Sequence, residues 1–439
     1  VLTSVRLARD PLGLFRSLAA EGPLVPLRVG PFKALVVTDP ELAGELLADD
    51  RTYDKGGALY DRIRELTGDG LVSCPHRQHR RQRRLLQPAF SRARIAGYTE
   101  VVSGRAAAVA LAWREGRPVD PLAEMLALTT GSLVETMFAG ELTERQIVLA
   151  VADYGTVLDG LYVRAVLPRV PARIPVAANR RYRRAGARLR ATLAGVVAER
   201  RRSGWTAGND LLSALLAPGE SGGAGFGDRE LCDQLVTFLV AGSETTAVAL
   251  AWAIHFLAAD RELQRRVQAE VDGRGLDGRA IGGADLARLP LTRNTVLEAL
   301  RYYPPGWLFS RVTMRATVLG GQAVPAGRTL LYSPYLVHHR PESYPDPERF
   351  DPDRWASEAR HRPPRSAFLA FGAGARSCIG EQLGLAEAVL VLATLAAHWE
   401  WTELPDSDAT PVAAVSLRPK RLRVRPTARV RGVVPAAQP

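Results

Sequence analysis

Cysteine and lysine are both scarce in this chain. The cysteines are Cys74, Cys232 and Cys378, far apart and odd in number. That excludes a disulfide-stapled scaffold and a cysteine-rich zinc module, and it fits a reducing compartment. Lysine occurs only at Lys33, Lys55 and Lys420, so nearly all of the 58 basic residues are arginine, and the formal charge is +12. Arginine over lysine, with abundant alanine, points to a GC-rich coding sequence more than to a partner. The arginines are spread along the chain instead of forming one stripe, which disfavours a nucleic-acid binder. No signal peptide is legible at Val1-Leu-Thr-Ser-Val-Arg6, although the chain does not open on methionine. No linker and no internal repeat divides it. The long apolar run from Leu235 to Ala259 could cross a membrane by length, but Glu244 at its middle and His255 near its end argue against lipid. With 46% hydrophobic and 24% charged residues, these absences leave a cytoplasmic, soluble, monomeric protein without a visible membrane anchor, able to bury a sizeable core.

The periodicity predicts a mainly α protein with a small β-rich portion, supplied mostly by residues 1–50 and 306–335 of a single domain spanning 1–439. Residues 10–20 read as a short amphipathic helix. Leu24–Val29 and Ala34–Val37 form a hairpin around Gly30-Pro31, and a helix follows over Glu41–Leu47. Residues 51–75, aperiodic and glycine-containing, read as a long surface loop with some helix. From about 100 to 203 the pattern is helical, broken at Leu167–Pro175. Leu149, Val151, Tyr154, Val157 and Leu158 fall at helix-period positions, and an arginine-rich helix spans Asn179–Arg202. Pro218–Gly227 is a glycine-rich loop. Asp228–Ala259, capped by Asp228, gives a helix of about 48 Å that is apolar nearly all round and so runs through the core. Pro290–Pro305 is a helix stopped by prolines. Strands lie at Ser310–Met314, Ala323–Gly327 and Thr329–Tyr332. A last hairpin turns around Pro419 within 413–425, and the tail frays from Pro426.

Some stretches carry chemistry. In Phe371-Gly-Ala-Gly-Ala-Arg-Ser-Cys378-Ile-Gly380, glycines bracket a cysteine that opens a helix-like run from Glu381. Such glycines let the backbone bend and let another body come close, and a helix N-terminus favours the thiolate. A lone thiolate is a poor zinc site but a good axial ligand for haem iron; a bare Gly-x-x-x-x-Cys is equally a structural cysteine. His79 and Arg83 share one face of a basic helix, which by itself reads as solvated. Within Ala241-Gly-Ser-Glu244-Thr245-Thr246, Gly242 permits close approach of a bulky group, and Thr245 can bond back to a carbonyl a turn earlier and distort the helix. An acid beside an alcohol in an opened helix can relay protons; the plain alternative is a satisfied core carboxylate. Glu298 and Arg301, at i and i+3, form a pair of a common kind.

Taken in order, these motifs resemble the cytochromes P-450, from about Asp10 to Arg425. The resemblance implies that Cys378 ligates a haem b iron within a loop that includes Phe371, Gly372, Gly374, Arg376 and Gly380. It implies that His79, Arg83, Arg311 and Arg376 hold the haem propionates, that Ala241 lies over the haem, and that Glu244 and Thr245 deliver protons. It further implies that Glu298 and Arg301, locked by Arg349 of the loop Tyr344–Pro352, brace the scaffold. Expected substrate-pocket residues are Val240, Ala241, Trp307 and Leu308. The implied activity is a monooxygenase using dioxygen and two electrons from NAD(P)H, passed through an acidic ferredoxin and a ferredoxin reductase. Arg77, Arg80, Arg81 and Arg84 are candidates to meet that partner. The substrate is an apolar small molecule. Ile174–Tyr182 and the Arg349 loop look similar to actinobacterial terpenoid-oxidising members, including those acting on sesquiterpenes; macrolides or other polyketides, steroids and fatty acids are the alternatives. A haem-thiolate sensor or carrier and a peroxide-driven enzyme are the rival classes, and the intact acid–alcohol pair disfavours both.

Overall fold

Three helix starts in this chain follow one rule. Asp10, Asp39 and Asp120 each accept a bond from a backbone N–H inside the first turn, and each is followed by proline, whose missing N–H costs nothing there. The computed structural model describes residues 2–139, 146, 149–150, 152–157, 160, 176–203, 208–217, 225–273, 281–359 and 362–429. The order is α1 Leu2–Arg9, α2 Pro11–Ala19, β1 Leu24–Val29, β2 Phe32–Val37, α3 Pro40–Ala48, β3 Tyr53–Asp54 and α4 Ala58–Thr67. Next come α5 His76–Leu86, α6 Arg92–Ala112, α7 Pro121–Phe138, α8 Ala177–Arg202, α9 Leu211–Leu216, α10 Asp228–Ala259, α11 Arg261–Asp272 and α12 Pro290–Tyr302. Then follow β4 Phe309–Thr313, β5 Thr317–Leu319, β6 Gln322–Val324, β7 Thr329–Tyr332, α13 Pro334–His338 and α14 Glu381–His398. Strands β8 Trp399–Glu403, β9 Asp408–Ala413, β10 Leu417–Arg421 and β11 Val424–Ala428 come last.

The main sheet has the order β1-β2-β7-β4-β3. Gly30, at φ +58°, makes the two-residue turn that pairs Val29 with Phe32, and β2 runs parallel to β7. Helix α10 crosses the core with α14 packed beside it. Val248, Trp252 and Leu257 of α10 share one apolar cluster with Leu390 and Leu395 of α14 and with Trp401. Both helices are long and apolar enough to cross a membrane, yet both lie mostly buried inside the protein.

The structure departs from the sequence reading in places. Residues 51–75 hold helix as expected, in α4, but they are not a surface loop: they also hold β3, and Thr52, Tyr53, Asp54, Tyr60, Arg62, Thr67, Ser73 and Cys74 are buried. The pattern looked aperiodic because polar groups are buried there with partners, as in Ser73 Oγ donating to Gly68 O at 2.8 Å. Asp228 does not cap α10; it starts the first turn and pairs with Arg201 at 2.6 Å. The final hairpin turns at Ala414–Ser416, while Pro419 sits within β10 opposite Pro411. That position is tolerated because the ribbon has only two strands and its outer edge needs no N–H. The chain beyond Pro426 is held as far as Arg429, whose Nη1 donates to Ala396 O at 3.0 Å. Tyr154 and Val157 are buried as expected, but Leu149 is exposed. Leu167–Pro175, Val151 and Leu158 lie outside the described residues.

Candidate active site: a slot between the Cys378 loop and helix α10

The Cys378 loop closes on itself through Cys378 N–H to Phe371 O at 2.8 Å and Ser377 N–H to Gly374 O at 3.1 Å. Gly372 and Gly374 both adopt φ +67°, and a Cβ at Gly374 would lie 2.2 Å from Leu47 O, so this loop could not be built with larger residues there. A Cβ at Gly380 would come within 4.0 Å of Cys378 Sγ. Phe371 is half-buried, with its ring 6.2 Å from Phe368. The Cys378 side chain is open on one side and enclosed by protein on the others. That burial pushes its thiol up, with Glu381 adding to the effect, against smaller opposing effects from the Gly380 N–H, Arg83 and Lys55. The helix end does not reverse that direction, since Cys378 lies ahead of the helix cap at Gly380. A bound cation would act the other way and favour the thiolate.

Facing this loop is the middle of α10. Most residues from Leu231 to Ala258 are buried, but Ala241 and Thr245, one turn apart, are exposed in the interior of the fold. Thr245 Oγ1 donates to Ala241 O at 2.8 Å, as the sequence suggested, yet α10 continues unbroken. Gly242 serves another purpose than expected: its open side is filled by Leu133 of α7, whose Cδ2 would lie 3.0 Å from an added Cβ. Glu244 is half-buried and accepts from Ser416 Oγ at 2.6 Å. Gly384 of α14 brings the two walls together, with room for a Cβ 3.7 Å from Thr246 Oγ1.

Cations gather at one end. His79, on α5, is buried; burial first, then Arg376 and Lys55, hold it down at about 3, so it is neutral. Arg311 is 2% exposed and its Nε has no hydrogen-bond partner. Lys55, which the sequence reading passed over, is drawn down to about 7 by burial and by Arg311 and Arg376. Its signal was there, a rare lysine followed by Gly56-Gly57 in an arginine-rich chain. Two of the expected propionate partners are otherwise engaged. Arg376 pairs with Asp50 at 3.0 Å and Asp54 at 2.7 Å and donates to Cys74 O at 2.8 Å. Arg83 donates to Ser377 O and to Gln87 Oε1, bracing the loop from α5. An orphaned guanidinium N–H and a depressed lysine are what an incoming anionic group would satisfy. The thiol at one wall, the open helix face at the other and these cations at the edge fit a flat, dianionic metalloporphyrin. Among the described residues no group of three or more His, Cys, Asp or Glu is placed to hold a bare metal ion.

Behind the site lies a second charged centre. Glu298 and Arg301 are both fully buried and pair through two bonds of 2.8 and 3.0 Å. The second arginine on Glu298 is Arg354, at 3.0 Å, not Arg349. Arg349 is exposed and contributes only its carbonyl, which accepts from Arg301 at 3.1 Å. Both arginines precede an aromatic residue, but the chain turns at Asp351–Trp355 and presents Arg354 and Trp355 inward. Trp307 is likewise a core residue. It packs edge-on to Phe15 at 5.8 Å and donates to Ala414 O, which removes it from the substrate pocket. Leu308 joins the same cluster, and Val240 packs into another. On the α5 side of the loop, a hollow of about 780 Å³ is lined by residues including His76, Arg80, Arg84 and Ala375. Arg81 turns from it to Glu230 at 2.6 Å.

Fold and site define a haem-binding protein with a single thiol on one side of the slot and an acid–alcohol pair on the other. The family model for cytochrome P450 matches residues 2–425. The chain belongs to the cytochrome P450 family, whose members are haem-thiolate monooxygenases fed with electrons by redox partners. It is 41% identical to pentalenene oxygenase of Streptomyces avermitilis, over 97% of this chain and 95% of that protein. It is 44% identical to cyclooctat-9-en-7-ol 5-monooxygenase of Streptomyces melanosporofaciens, over 92% of this chain and 87% of that one. The crystal structure of the cytochrome P450DA heme domain superposes with a TM-score of 0.87 at 27% identity, covering 97% and 95% of the two chains.

Proposed function

We propose that this chain is a single haem domain that hydroxylates a terpenoid. The observation that carries the substrate class is the near-full-length similarity to pentalenene oxygenase and cyclooctat-9-en-7-ol 5-monooxygenase. Cys378 would hold the haem through its sulfur, and Lys55, Arg311 and His79 would receive its propionates. The bound haem supplies dioxygen activation and oxygen insertion into a C–H bond. The chain's own residues bind the apolar substrate above Ala241, exclude water, and move protons. Thr245 presents its hydroxyl oxygen at the slot, its proton donated to Ala241 O until it is handed on. Glu244, next to it, exchanges protons with the interior. Electrons arrive from a ferredoxin and its reductase. The hollow beside Arg80, Arg84 and Ala375 offers an acidic ferredoxin a basic approach to the Cys378 loop. A cytoplasmic monomer is consistent with this reading.

The test is a ferric spin-state titration with pentalenene, cyclooctat-9-en-7-ol, a fatty acid and a macrolide. Submicromolar response to a terpenoid with no response to the others is expected; response only to the fatty acid or macrolide overturns the substrate class. Thr245→Ala is expected to retain haem while diverting electrons to hydrogen peroxide. Unchanged coupling of NADH to product in that variant refutes the proton role.

A further inference from the structure

We infer that Ser416 is a positioning residue for proton delivery, holding the Glu244 carboxylate in its working orientation. The inference rests on the proton role proposed above for Glu244.

Ser416 lies in the turn between β9 and β10, 172 residues from Glu244 in sequence, and is 2% exposed. Its hydroxyl donates to Glu244 Oε1 at 2.6 Å, the length of a charge-assisted bond between a hydroxyl and a carboxylate. The turn that carries it is moored on every side. Ala414 N–H meets Val412 O and Ser416 O, both at 3.0 Å, and Ala414 O accepts from Trp307 Nε1 at 3.0 Å. Leu417 N–H donates to Pro305 O at 3.0 Å. Leu417 O accepts from Trp252 Nε1 at 2.9 Å, and Trp252 stands on α10 itself, two turns beyond Glu244. The donor is thus fixed to the same helix that carries the acceptor. Little orientational freedom is left to lose when the bond forms, which is the condition under which a single hydroxyl can fix a carboxylate plane.

A structural hydroxyl and a positioning hydroxyl predict different things. Glu244 adjoins Thr245 on the open face of α10, and Tyr154, donating to Val240 O at 3.4 Å, has its phenol raised first by burial and then by the nearby Glu244 charge. Without the Ser416 bond the carboxylate loses one donor, and its other contacts set its orientation. Proton arrival at Thr245 then slows, and the two electrons supplied to dioxygen leave with two protons as hydrogen peroxide. No new chemical step is involved; the partition between product and peroxide is what shifts.

The test uses holoenzyme with a surrogate ferredoxin and reductase and whichever of pentalenene or cyclooctat-9-en-7-ol gives the larger spin-state change. Ser416→Ala is expected to raise peroxide per NADH about fivefold, with haem content and the spin-state change unaltered. Ser416→Thr, which keeps the hydroxyl, is expected to restore coupling. Adding Ser416→Ala to Glu244→Gln is expected to change coupling no further, and thermal unfolding of the two single variants and the double variant is expected to be non-additive. If Ser416→Ala fails to retain haem, Ser416→Cys, similar in size with a weak donor, takes its place and is expected to uncouple in the same sense. Normal coupling in Ser416→Ala or its Ser416→Cys replacement, or additive unfolding shifts, while Glu244→Gln alone uncouples, overturns the inference and leaves the role of Glu244 standing. Normal coupling in Glu244→Gln overturns that role and the inference with it.

Discussion

Two buried clusters of charge in this molecule both contain arginine and behave in opposite ways. Around Glu298 every group has its partner: Arg301 and Arg354 on the carboxylate, Trp355 Nε1 and Asp351 N–H completing it, and the carbonyls of His338, Pro347 and Arg349 taking the remaining Arg301 donors. Around Lys55, His79 and Arg311 the polar groups are left wanting, with an unpartnered guanidinium Nε and two groups held far below their usual values. A satisfied network is a scaffold; an electrically strained one is a place where something of opposite sign belongs. The difference separates bracing from binding more reliably than residue identity does: it takes Arg349 out of the brace, engages Arg376 with Asp50 and Asp54, and brings in Lys55, to which the sequence reading assigned no role.

The largest effect is expected where satisfaction is complete. Arg354→Ala takes one of its two arginines from the buried Glu298 carboxylate and is expected to cost about 3 kcal/mol, lost as soluble, haem-loaded protein and as a lowered Tm. Arg349→Ala is expected to fall within about 0.5 kcal/mol of the parent, because its side chain is exposed. Equal losses in the two variants would erase the contrast.

Lys55→Met sharpens it from the other side. Removing a crowded cation is expected to stabilise the apoprotein, yet to speed haem loss to apomyoglobin about tenfold, equivalent to about 1.4 kcal/mol. Loss of stability in both forms would show that Lys55 belongs to a scaffold after all.

A pH-dependent effect concerns Glu387, on the buried face of α14, which burial alone pushes from 4.5 up to about 8. Between those values the folded state keeps a proton that the unfolded state releases. Stability is therefore full below about pH 4.5 and is expected to fall as pH rises toward 8, flattening beyond. Chemical denaturation across that range should show the slope, and Glu387→Gln should remove it and be the more stable protein at pH 8. An unchanged slope in that variant would assign it to other groups.

Much of this was legible in the sequence where one physical signal dominated. The 32 residues of α10 were set by continuous apolarity, and the β1–β2 hairpin by Gly30-Pro31. The Cys378 loop was legible because only glycine fits beside Leu47 O. What escaped depends on which side chains meet across the fold. Residues 51–75 looked like a surface loop because buried polar groups leave no hydrophobic period. Arg349 and Arg354 are locally alike, and only the turn at Asp351–Trp355 decides which faces Glu298. Arg376 is neutralised by Asp50 and Asp54, more than 300 positions away, and no local pattern reveals that.

The central claim is that Cys378, and neither Cys74 nor Cys232, supplies the sulfur to the haem iron. Carbon monoxide added to the dithionite-reduced holoprotein tests it directly. The account predicts the red-shifted Soret band of a thiolate ligand in the parent and in Cys74→Ser and Cys232→Ser, and its disappearance in Cys378→Ser. Persistence of that band in Cys378→Ser, or a nitrogen-ligand spectrum in the parent, would contradict it.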